Sequence, residues 1–255
     1  MARASEKRRR PAHGRQVACM NSELLPIIGA AAGGVLPALA WLWFWMREDK
    51  RNPEPRRVIA LAFLAGMITV GVVIPIQQAV AAFLASTTVI FMAWSIIEEV
   101  AKYLAARLTV LRSKENDEPI DSVIYMVAVA LGFAAAENAL FLLSPISGES
   151  FSESLLTGNL RFVGAMLLHV LSSAVIGVFL AFAFYKSRRA KRLYGLLGVI
   201  LAALLHSLFN FLILNTAEEH LLRTFLYVWI GLIVLLAVLE YIKRIHPVIK
   251  QRISN

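Results

Sequence analysis

The chain has 255 residues, of which 58% are hydrophobic and only 17% are charged. A soluble domain is about half apolar and about a quarter charged, so this composition argues against a soluble protein. The formal net charge of +9 does not indicate nucleic-acid binding, because the Lys and Arg residues collect in short groups between apolar runs and form no single basic face. A single cysteine, Cys19, excludes an intrachain disulfide, a cysteine-based zinc knuckle and a CxxC redox pair.

Seven apolar segments follow one another along the chain. Each has about 20 residues or more, which is enough for a helix to cross a hydrocarbon core of about 30 Å. Lipid offers no partner to an unpaired backbone group, so every segment is expected to be helical. The sequence therefore predicts an all-α, polytopic transmembrane helix bundle of about seven spans: Leu24–Met46, Arg57–Gln77, Thr88–Leu111, Ser122–Ser144, Phe162–Tyr185, Leu193–Asn215 and Leu222–Ile242.

The connections between these segments alternate in charge. Lys and Arg residues cluster after the first, third and fifth segments and in the C-terminal tail, whereas the connections Gln78–Ser86, Pro145–Asn159 and Thr216–Leu221 contain none. Because Lys and Arg accumulate in cytoplasmic loops, this alternation predicts a multi-pass protein of the cell membrane with a cytoplasmic C-terminus.

The first residues do not fit this pattern. We expect a basic N-terminal tail over residues 1–20, one transmembrane domain over residues 21–245 and a short cytoplasmic tail over residues 246–255. The six Lys and Arg residues of the first tail would hold the N-terminus inside, whereas the other connections require it outside. Either the first span re-enters the membrane, or the natural chain starts at Met20 and the preceding tail is non-native or disordered. We favour the start at Met20, which mass spectrometry of the native N-terminus would test.

Ionisable side chains within the predicted spans form a concentrated set. Placing a charge in a spanning helix costs about 2.5–3.5 kcal/mol, so such groups mark function by default. At a rise of about 1.5 Å per residue, they reach one layer in the outer half of the membrane from four different helices. The set consists of Glu98, Glu99 and Lys102 in the third span, Glu137 with Asn138 in the fourth, His169 in the fifth, and His206 with Asn210 in the sixth.

Such a layer suits hydrolysis by either of two schemes. In the first, Glu98 or Glu99 deprotonates water, because two adjacent carboxylates in a low dielectric cannot both ionise easily. A histidine and the amide of Asn210 would then stabilise the oxyanion. In the second, a catalytic zinc ion with one open position is held by three ligands: Glu137, His169 and His206. The sequence leaves both schemes, and with them the cofactor, open.

Other interpretations compete with hydrolysis. Glu98 and Lys102 are four residues apart on one helix face and could form a structural ion pair, and a single His or Asn often bonds a neighbouring membrane helix. A proton-coupled transporter or channel would also place Glu and His in the membrane, and a non-catalytic scaffold or immunity protein would tolerate their replacement. The inner halves of the spans are almost wholly apolar, which argues against a proton path through the membrane.

Several motifs occur in a recognisable order. They are Glu-Glu-x-x-Lys at Glu98–Lys102, Phe-x-x-x-Glu-Asn at Phe133–Asn138, the lone His169, His-x-x-x-Asn at His206–Asn210, and a preceding acidic connection with Pro53-Glu54-Pro55. With these motifs the sequence resembles the PrsW-type intramembrane proteases, which belong to the superfamily of CAAX-processing endopeptidases and bacteriocin self-immunity proteins. The resemblance covers nearly everything between residues 36 and 215.

This resemblance implies hydrolysis of a peptide bond in a membrane protein, by analogy site-one cleavage of an anti-sigma factor in regulated proteolysis. The expected partners are a single-pass membrane substrate and the lipid bilayer, without nucleic acid. It also implies roles for particular residues. The expected catalytic set is Glu98, Glu99, Glu137, His169, His206 and Asn210, supported by Lys102, Asn138 and Phe133. CAAX endopeptidases have a histidine in place of Glu137 and an arginine in place of Lys102, so a prenylated substrate is not expected.

Overall fold

A computed structural model describes the backbone of residues 12–48, 52–143, 151–215 and 221–245, and the side chains of residues 27–48, 52–143, 164–212 and 226–245. Within these ranges the chain forms helices and no strand. In chain order they are α1 (Ala12–Met46), α2 (Arg56–Phe83), α3 (Thr87–Thr109), α4 (Pro119–Leu143), α5 (Phe151–Phe182), α6 (Arg188–Asn215) and α7 (Leu221–Ile242).

The predicted all-α membrane bundle is confirmed, since every predicted span corresponds to one of these helices. By length and composition, five helices within the described ranges can cross a membrane: α1, α2, α4, α5 and α6. Helix α3 is not among them because it carries four charged residues, and the described apolar part of α7 is the shorter stretch Leu226–Ile242. The first helix begins at Ala12, inside the predicted N-terminal tail, and the predicted tail 246–255 lies outside the described residues.

Helix α4 occupies the centre of the bundle. Every residue from Pro119 to Ala135 is buried, and the helix packs mainly against α1, α2 and α5. From Val123 to Ala136 its sequence is apolar on all sides, as expected for a helix enclosed by other helices. The connection between α1 and α2 contacts this helix, because the buried hydroxyl of Tyr125 donates a hydrogen bond to Glu54.

Helices α2 and α4 approach each other through glycine. A Cβ atom on Gly132 would lie 1.9 Å from the carbonyl oxygen of Phe63, and one on Gly66 would lie 2.0 Å from the carbonyl oxygen of Val129. Only small residues allow membrane helices to pack this closely. The contact fixes α4 against α2 immediately before Phe133 and just over one turn before Glu137.

Helix α3 turns its polar side chains inward and its apolar side chains outward. Its buried residues follow the spacing i, i+3, i+4, i+7 and i+11, which places them on one helix face: Ser95, Glu98, Glu99, Lys102 and Ala106. The opposite face consists of exposed apolar residues: Ile96, Val100, Leu104 and Leu108. The apolar face suits contact with lipid, whereas the polar stripe points toward α5 and α6 and positions the site.

Candidate functional site

Glu99 lies at the buried centre of the polar cluster and accepts four hydrogen bonds. Its Oε1 atom is 2.5 Å from Lys102 Nζ, 2.9 Å from Ser172 Oγ and 2.9 Å from His206 Nδ1. Its Oε2 atom accepts a hydrogen bond of 2.8 Å from Ser173 Oγ. A carboxylate can remain fully buried when an ammonium group and several hydrogen-bond donors satisfy it in this way. All its hydrogen-bonding capacity is used within the protein.

The ion pair of α3 joins Glu99 to Lys102, not Glu98 to Lys102 as the four-residue spacing suggests. Positions three residues apart are also neighbours on a helix, and Glu98 is turned away. Its Oε1 atom accepts a hydrogen bond of 2.8 Å from Gln77 Nε2 on α2.

Each histidine of the site is oriented by a carboxylate. His169 Nε2 lies 2.8 Å from Glu137 Oε2, and His206 Nδ1 lies 2.9 Å from Glu99 Oε1. In a neutral imidazole, the nitrogen that faces a carboxylate carries the proton, and the other nitrogen presents a lone pair. Those other nitrogens, His169 Nδ1 and His206 Nε2, lie 4.0 and 3.8 Å from Glu98 Oε2.

Three electron-pair donors therefore face one another. Glu98 Oε2 is buried and has no hydrogen-bond partner among the residues that the structure describes, and the ligand atoms of Glu98, His169 and His206 lie within 4.8 Å of one another. Zinc with tetrahedral bonds of about 2.0–2.1 Å separates its ligand atoms by about 3.3 Å, so these atoms would have to approach by roughly 0.5 Å or more. The donor types, the unsatisfied oxygen and the oriented imidazoles fit a divalent metal ion.

The sequence suggests Glu137 as the carboxylate ligand beside the two histidines. In the structure Glu98 shares the space between the imidazoles, whereas Glu137 bonds the opposite nitrogen of His169. The two glutamates also differ in accessibility, since the side chain of Glu137 is 44% exposed and that of Glu98 is 7% exposed. Water and a substrate would therefore reach the cluster from the Glu137 side.

Lys102 and Phe133 form the inner wall of the site. Lys102 Nζ lies 3.2 Å from His169 Nδ1, so the ammonium group can donate to the same lone pair that a metal ion would use. The Phe133 ring packs 5.4 Å from the His169 ring and 5.0 Å from Lys102 Nζ, which is within the range of a cation–π contact.

The two asparagines lie at the edge of this arrangement. Asn210 Nδ2 donates to Ser95 Oγ at 3.0 Å, and Ser95 Oγ donates to the Phe91 carbonyl at 2.9 Å. Asn210 thus joins α6 to α3 about one turn before the glutamate pair. Asn138 is buried on α4, next to Glu137 in sequence.

Sequence reasoning missed several neutral groups of the site: Gln77, Ser95, Ser172 and Ser173. These side chains carry no charge that would mark them within a span, although their positions in the sequence give a signal. Ser172 and Ser173 follow His169 by three and four residues and so share its helix face, and Gln77 is an amide at the end of a predicted span.

A helical membrane bundle with buried glutamates and oriented histidines is the arrangement expected of one class of protein, the hydrolases whose site lies among membrane-spanning helices. Comparison with known proteins agrees. Residues 54–239 match the family model described as PrsW family intramembrane metalloprotease, which covers most of the chain and all of the site residues. The chain belongs to this family; it is a multi-pass membrane protein and a protease.

Similar proteins include "Protease PrsW" of Geobacillus kaustophilus, which is 30% identical over 189 residues, covering 72% of this chain and 79% of the relative. "Protease PrsW" of Bacillus subtilis is 24% identical, covering 78% of this chain and 89% of the relative. The protein of the same name from Clostridioides difficile is 26% identical, covering 76% and 83%. No solved structure matches the chain. The predicted family and enzyme class are confirmed.

Proposed function

We propose that this protease cleaves a single-pass membrane protein in the outer half of the cell membrane, with one zinc ion held by Glu98, His169 and His206. The observation that carries the proposal is the buried Glu98 Oε2 atom, which faces both histidines and has no hydrogen-bond partner within the described ranges. Protonation of Glu98 or of a histidine would also reduce the repulsion among these donors. The carboxylates of Glu137 and Glu99, however, bond the opposite imidazole nitrogens and so favour histidine lone pairs directed at Glu98.

The bound metal ion would act as a Lewis acid toward water and the scissile carbonyl. Glu137 is the partly exposed carboxylate of the site and bonds the His169 nitrogen that faces away from Glu98. We assign to it the acceptance of a proton from the attacking water, relayed through an intervening water molecule, and the delivery of that proton to the leaving amine. Its hydrogen bond to His169 holds the carboxylate in place at the entrance of the site.

Glu99 acts as a positioning residue. It holds the His206 ring through Nδ1 and is itself neutralised by Lys102 and hydrogen-bonded by Ser172 and Ser173. Such outer carboxylates fix the tautomer and orientation of histidine ligands. The oxyanion role suggested for Asn210 stays a prediction, and its bond to Ser95 supports a role in joining α6 to α3.

The position of the site supports cleavage near the extracytoplasmic side. Glu98 lies near the middle of α3, whereas the partly exposed Glu137 lies about 9 Å before the last residue of α4, at about 1.5 Å per residue. The Lys and Arg residues that follow α3 and precede α6 indicate that these helix ends are cytoplasmic. A single-pass substrate entering beside Glu137 would present a peptide bond in the outer half of its own span.

The test uses protein purified in detergent with a set of single-pass membrane substrates. The wild-type protein should cleave at least one of them, contain about one zinc ion per chain and lose activity to a chelator, with recovery when zinc is restored. A matched control is Glu115→Gln, which removes a carboxylate of the α3–α4 connection whose partner is Arg57 at 3.7 Å. Cleavage that continues in metal-free protein would overturn the zinc assignment and favour glutamate-activated water.

A further inference from the structure

A second polar site lies beyond the catalytic cluster, toward the end of the bundle where α3 ends and α6 begins. A cavity of about 540 Å³ opens there between α3, the α3–α4 connection, α5 and α6. Arg107 is the first residue of α3 with a cationic side chain that lines this cavity, and it comes about 12 Å after Glu99 at about 1.5 Å per residue. Five cationic side chains line this basic pocket: Arg107, Arg112, Arg188, Lys191 and Arg192.

The cations of the basic pocket have no carboxylate partner within the part of the chain that the structure describes. Within the described residues, no carboxylate lines the cavity or forms an ion pair with any of the five cations. Arg107 donates instead to the Tyr103 hydroxyl at 2.9 Å, and Lys191 Nζ lies 4.9 Å from the Phe184 ring centroid. These contacts position the side chains and leave their charges intact.

Within the described residues, the acidic side chains of the α3–α4 connection neither line the cavity nor form ion pairs with its cations. Glu115 pairs with Arg57 on α2, and Asp121 Oδ2 accepts hydrogen bonds from the backbone N–H groups of Asp117 and Glu118. Five like charges around one cavity repel one another. An anion bound between them would relieve that repulsion.

The cavity also offers a hydrogen-bond donor without a partner. Ser113 lines the basic pocket, and its Oγ atom is buried with no hydrogen-bond partner in the described part of the chain. Arginine guanidinium groups match phosphate oxygens with two parallel hydrogen bonds. Helix α6 starts at Arg188, so its N-terminal N–H groups add a favourable field for an anion at the same place.

We propose that the basic pocket binds the phosphate group of an anionic ligand, and that the membrane's own anionic phospholipid is its source. The lining favours lipid over a free phosphorylated molecule, because Leu111, Leu180 and Phe184 add an apolar surface beside the cations. The pocket also lies at the ends of spanning helices, where phospholipid headgroups are found. It is distinct from the protease site and does not depend on the function proposed for that site.

The ordinary charge bias of cytoplasmic connections does not account for the pocket, and the chain offers a matched control. Lys186 and Arg189 belong to the same basic segment, residues 186–192, as Arg188 and Arg192, yet neither lines the cavity. The variants Arg188→Gln/Arg192→Gln and Lys186→Gln/Arg189→Gln therefore remove the same charge from the same segment. Only the first pair changes the pocket.

The experiment measures retention of phosphatidylglycerol and phosphatidylcholine by native mass spectrometry of the full chain in detergent. Wild type and the control variant should retain phosphatidylglycerol in preference to phosphatidylcholine, and the pocket variant should bind phosphatidylglycerol about tenfold more weakly or worse. Equal losses in the two double variants, or equal retention of both lipids by wild type, would overturn the proposal.

A soluble arm identifies the source of the phosphate. Glycerol 3-phosphate is added at increasing concentration, and the thermal unfolding of the lipid-depleted protein is followed. Stabilisation by this compound that the pocket variant lacks, without phosphatidylglycerol retention, would keep the phosphate site and overturn the lipid source. If the Gln pair fails to fold, Arg188→Lys/Arg192→Lys keeps the charge and removes the planar fork; unchanged phosphatidylglycerol binding by that pair would contradict arginine recognition of phosphate.

Discussion

The protease site and the basic pocket are both polar regions of an apolar bundle, and they differ in how their charge is compensated. At the protease site, Glu99 is satisfied by four donors and each histidine is held by a carboxylate. In the basic pocket, five cations share a cavity with no carboxylate among the described residues. The first region is organised by its own side chains, whereas the second leaves its cations available to an external anion. Substitutions should therefore disturb the first from within and the second through its ligand.

The largest expected effect is on the central ligands of the protease site. Glu98→Gln and His206→Ala each remove one of the three converging groups, so we expect cleavage to fall by at least about 10³-fold and bound zinc to be lost. Phosphatidylglycerol retention should be unchanged in both variants, because the basic pocket lies elsewhere. Cleavage at wild-type rates by either variant would remove that residue from the mechanism.

Substitution of Glu99 should affect both stability and metal binding. Glu99→Gln leaves the fully buried Lys102 ammonium without its carboxylate, which should lower the free energy of unfolding by about 3–5 kcal/mol. Loss of the carboxylate on His206 should weaken zinc binding by about 10–100-fold.

The double variant Glu99→Gln/Lys102→Met separates these two effects. It should recover much of the thermal stability, because no buried charge is left unpaired, while zinc affinity stays low. Full recovery of zinc affinity would show that Glu99 does not position His206.

A smaller effect is expected where α2 and α4 cross. In Gly132→Ala the new methyl group would meet the backbone oxygen of Phe63, and the resulting shift should cost about 1–3 kcal/mol. Cleavage should fall more than lipid retention, since α4 carries Glu137 and does not carry the cations of the basic pocket. Gly71→Ala is the control on α2, because nothing lies within 4 Å of its added Cβ; equal destabilisation by both substitutions would rule out the close contact as the cause.

The smallest expected effect is at Lys243, a cation that is compensated but not deeply buried. It bonds Glu48 at 2.9 Å and Glu240 at 2.5 Å, and joins the end of α7 to the end of α1. Partial burial lowers the pKa of Lys243, but the hydrogen bonds that it donates to Glu240 and Glu48 raise the pKa above its ordinary value overall. Lys243→Gln should lower the free energy of unfolding by less than about 1 kcal/mol.

The raised pKa fixes the direction of the pH dependence at Lys243. A group whose pKa is raised on folding contributes its stability below the unfolded pKa and loses it as the pH rises through the folded pKa. The difference between wild type and Lys243→Gln in thermal unfolding should therefore be constant from pH 6 to pH 9 and shrink only at strongly alkaline pH. A difference that vanishes near neutral pH would contradict this assignment.

Much of the fold followed from the sequence because the membrane restricts the choices. Apolar length predicts spans, and the cost of intramembrane charge singles out α3 and the layer of glutamates and histidines. The first and last residues of the helices do not follow from apolar length alone. Helix α6 begins at Arg188, before the apolar run at Leu193, because a helix can continue through charged residues beyond the hydrocarbon core.

The pairing of side chains within the site could not be predicted. Spacing gives the helix face and depth of Glu98, Glu99 and Glu137, but not which carboxylate reaches which imidazole nitrogen. That depends on how α3, α4, α5 and α6 are rotated and how closely they pack. The cations of the basic pocket were informative only as a signal of orientation, because nothing in their spacing shows that α3 and α6 enclose a cavity.

The burial of α4 has a consequence for how the protein assembles. The stretch of α4 from Val123 to Ala136 is apolar on every side, so enclosing α4 exchanges lipid contacts of this stretch for contacts with α1, α2 and α5. Its final position is therefore governed by shape, through the glycine crossing with α2, and not by a preference for leaving lipid. Glu137 can reach His169 only after this enclosure, so the site should be completed late in biogenesis, when the bundle closes around its central helix.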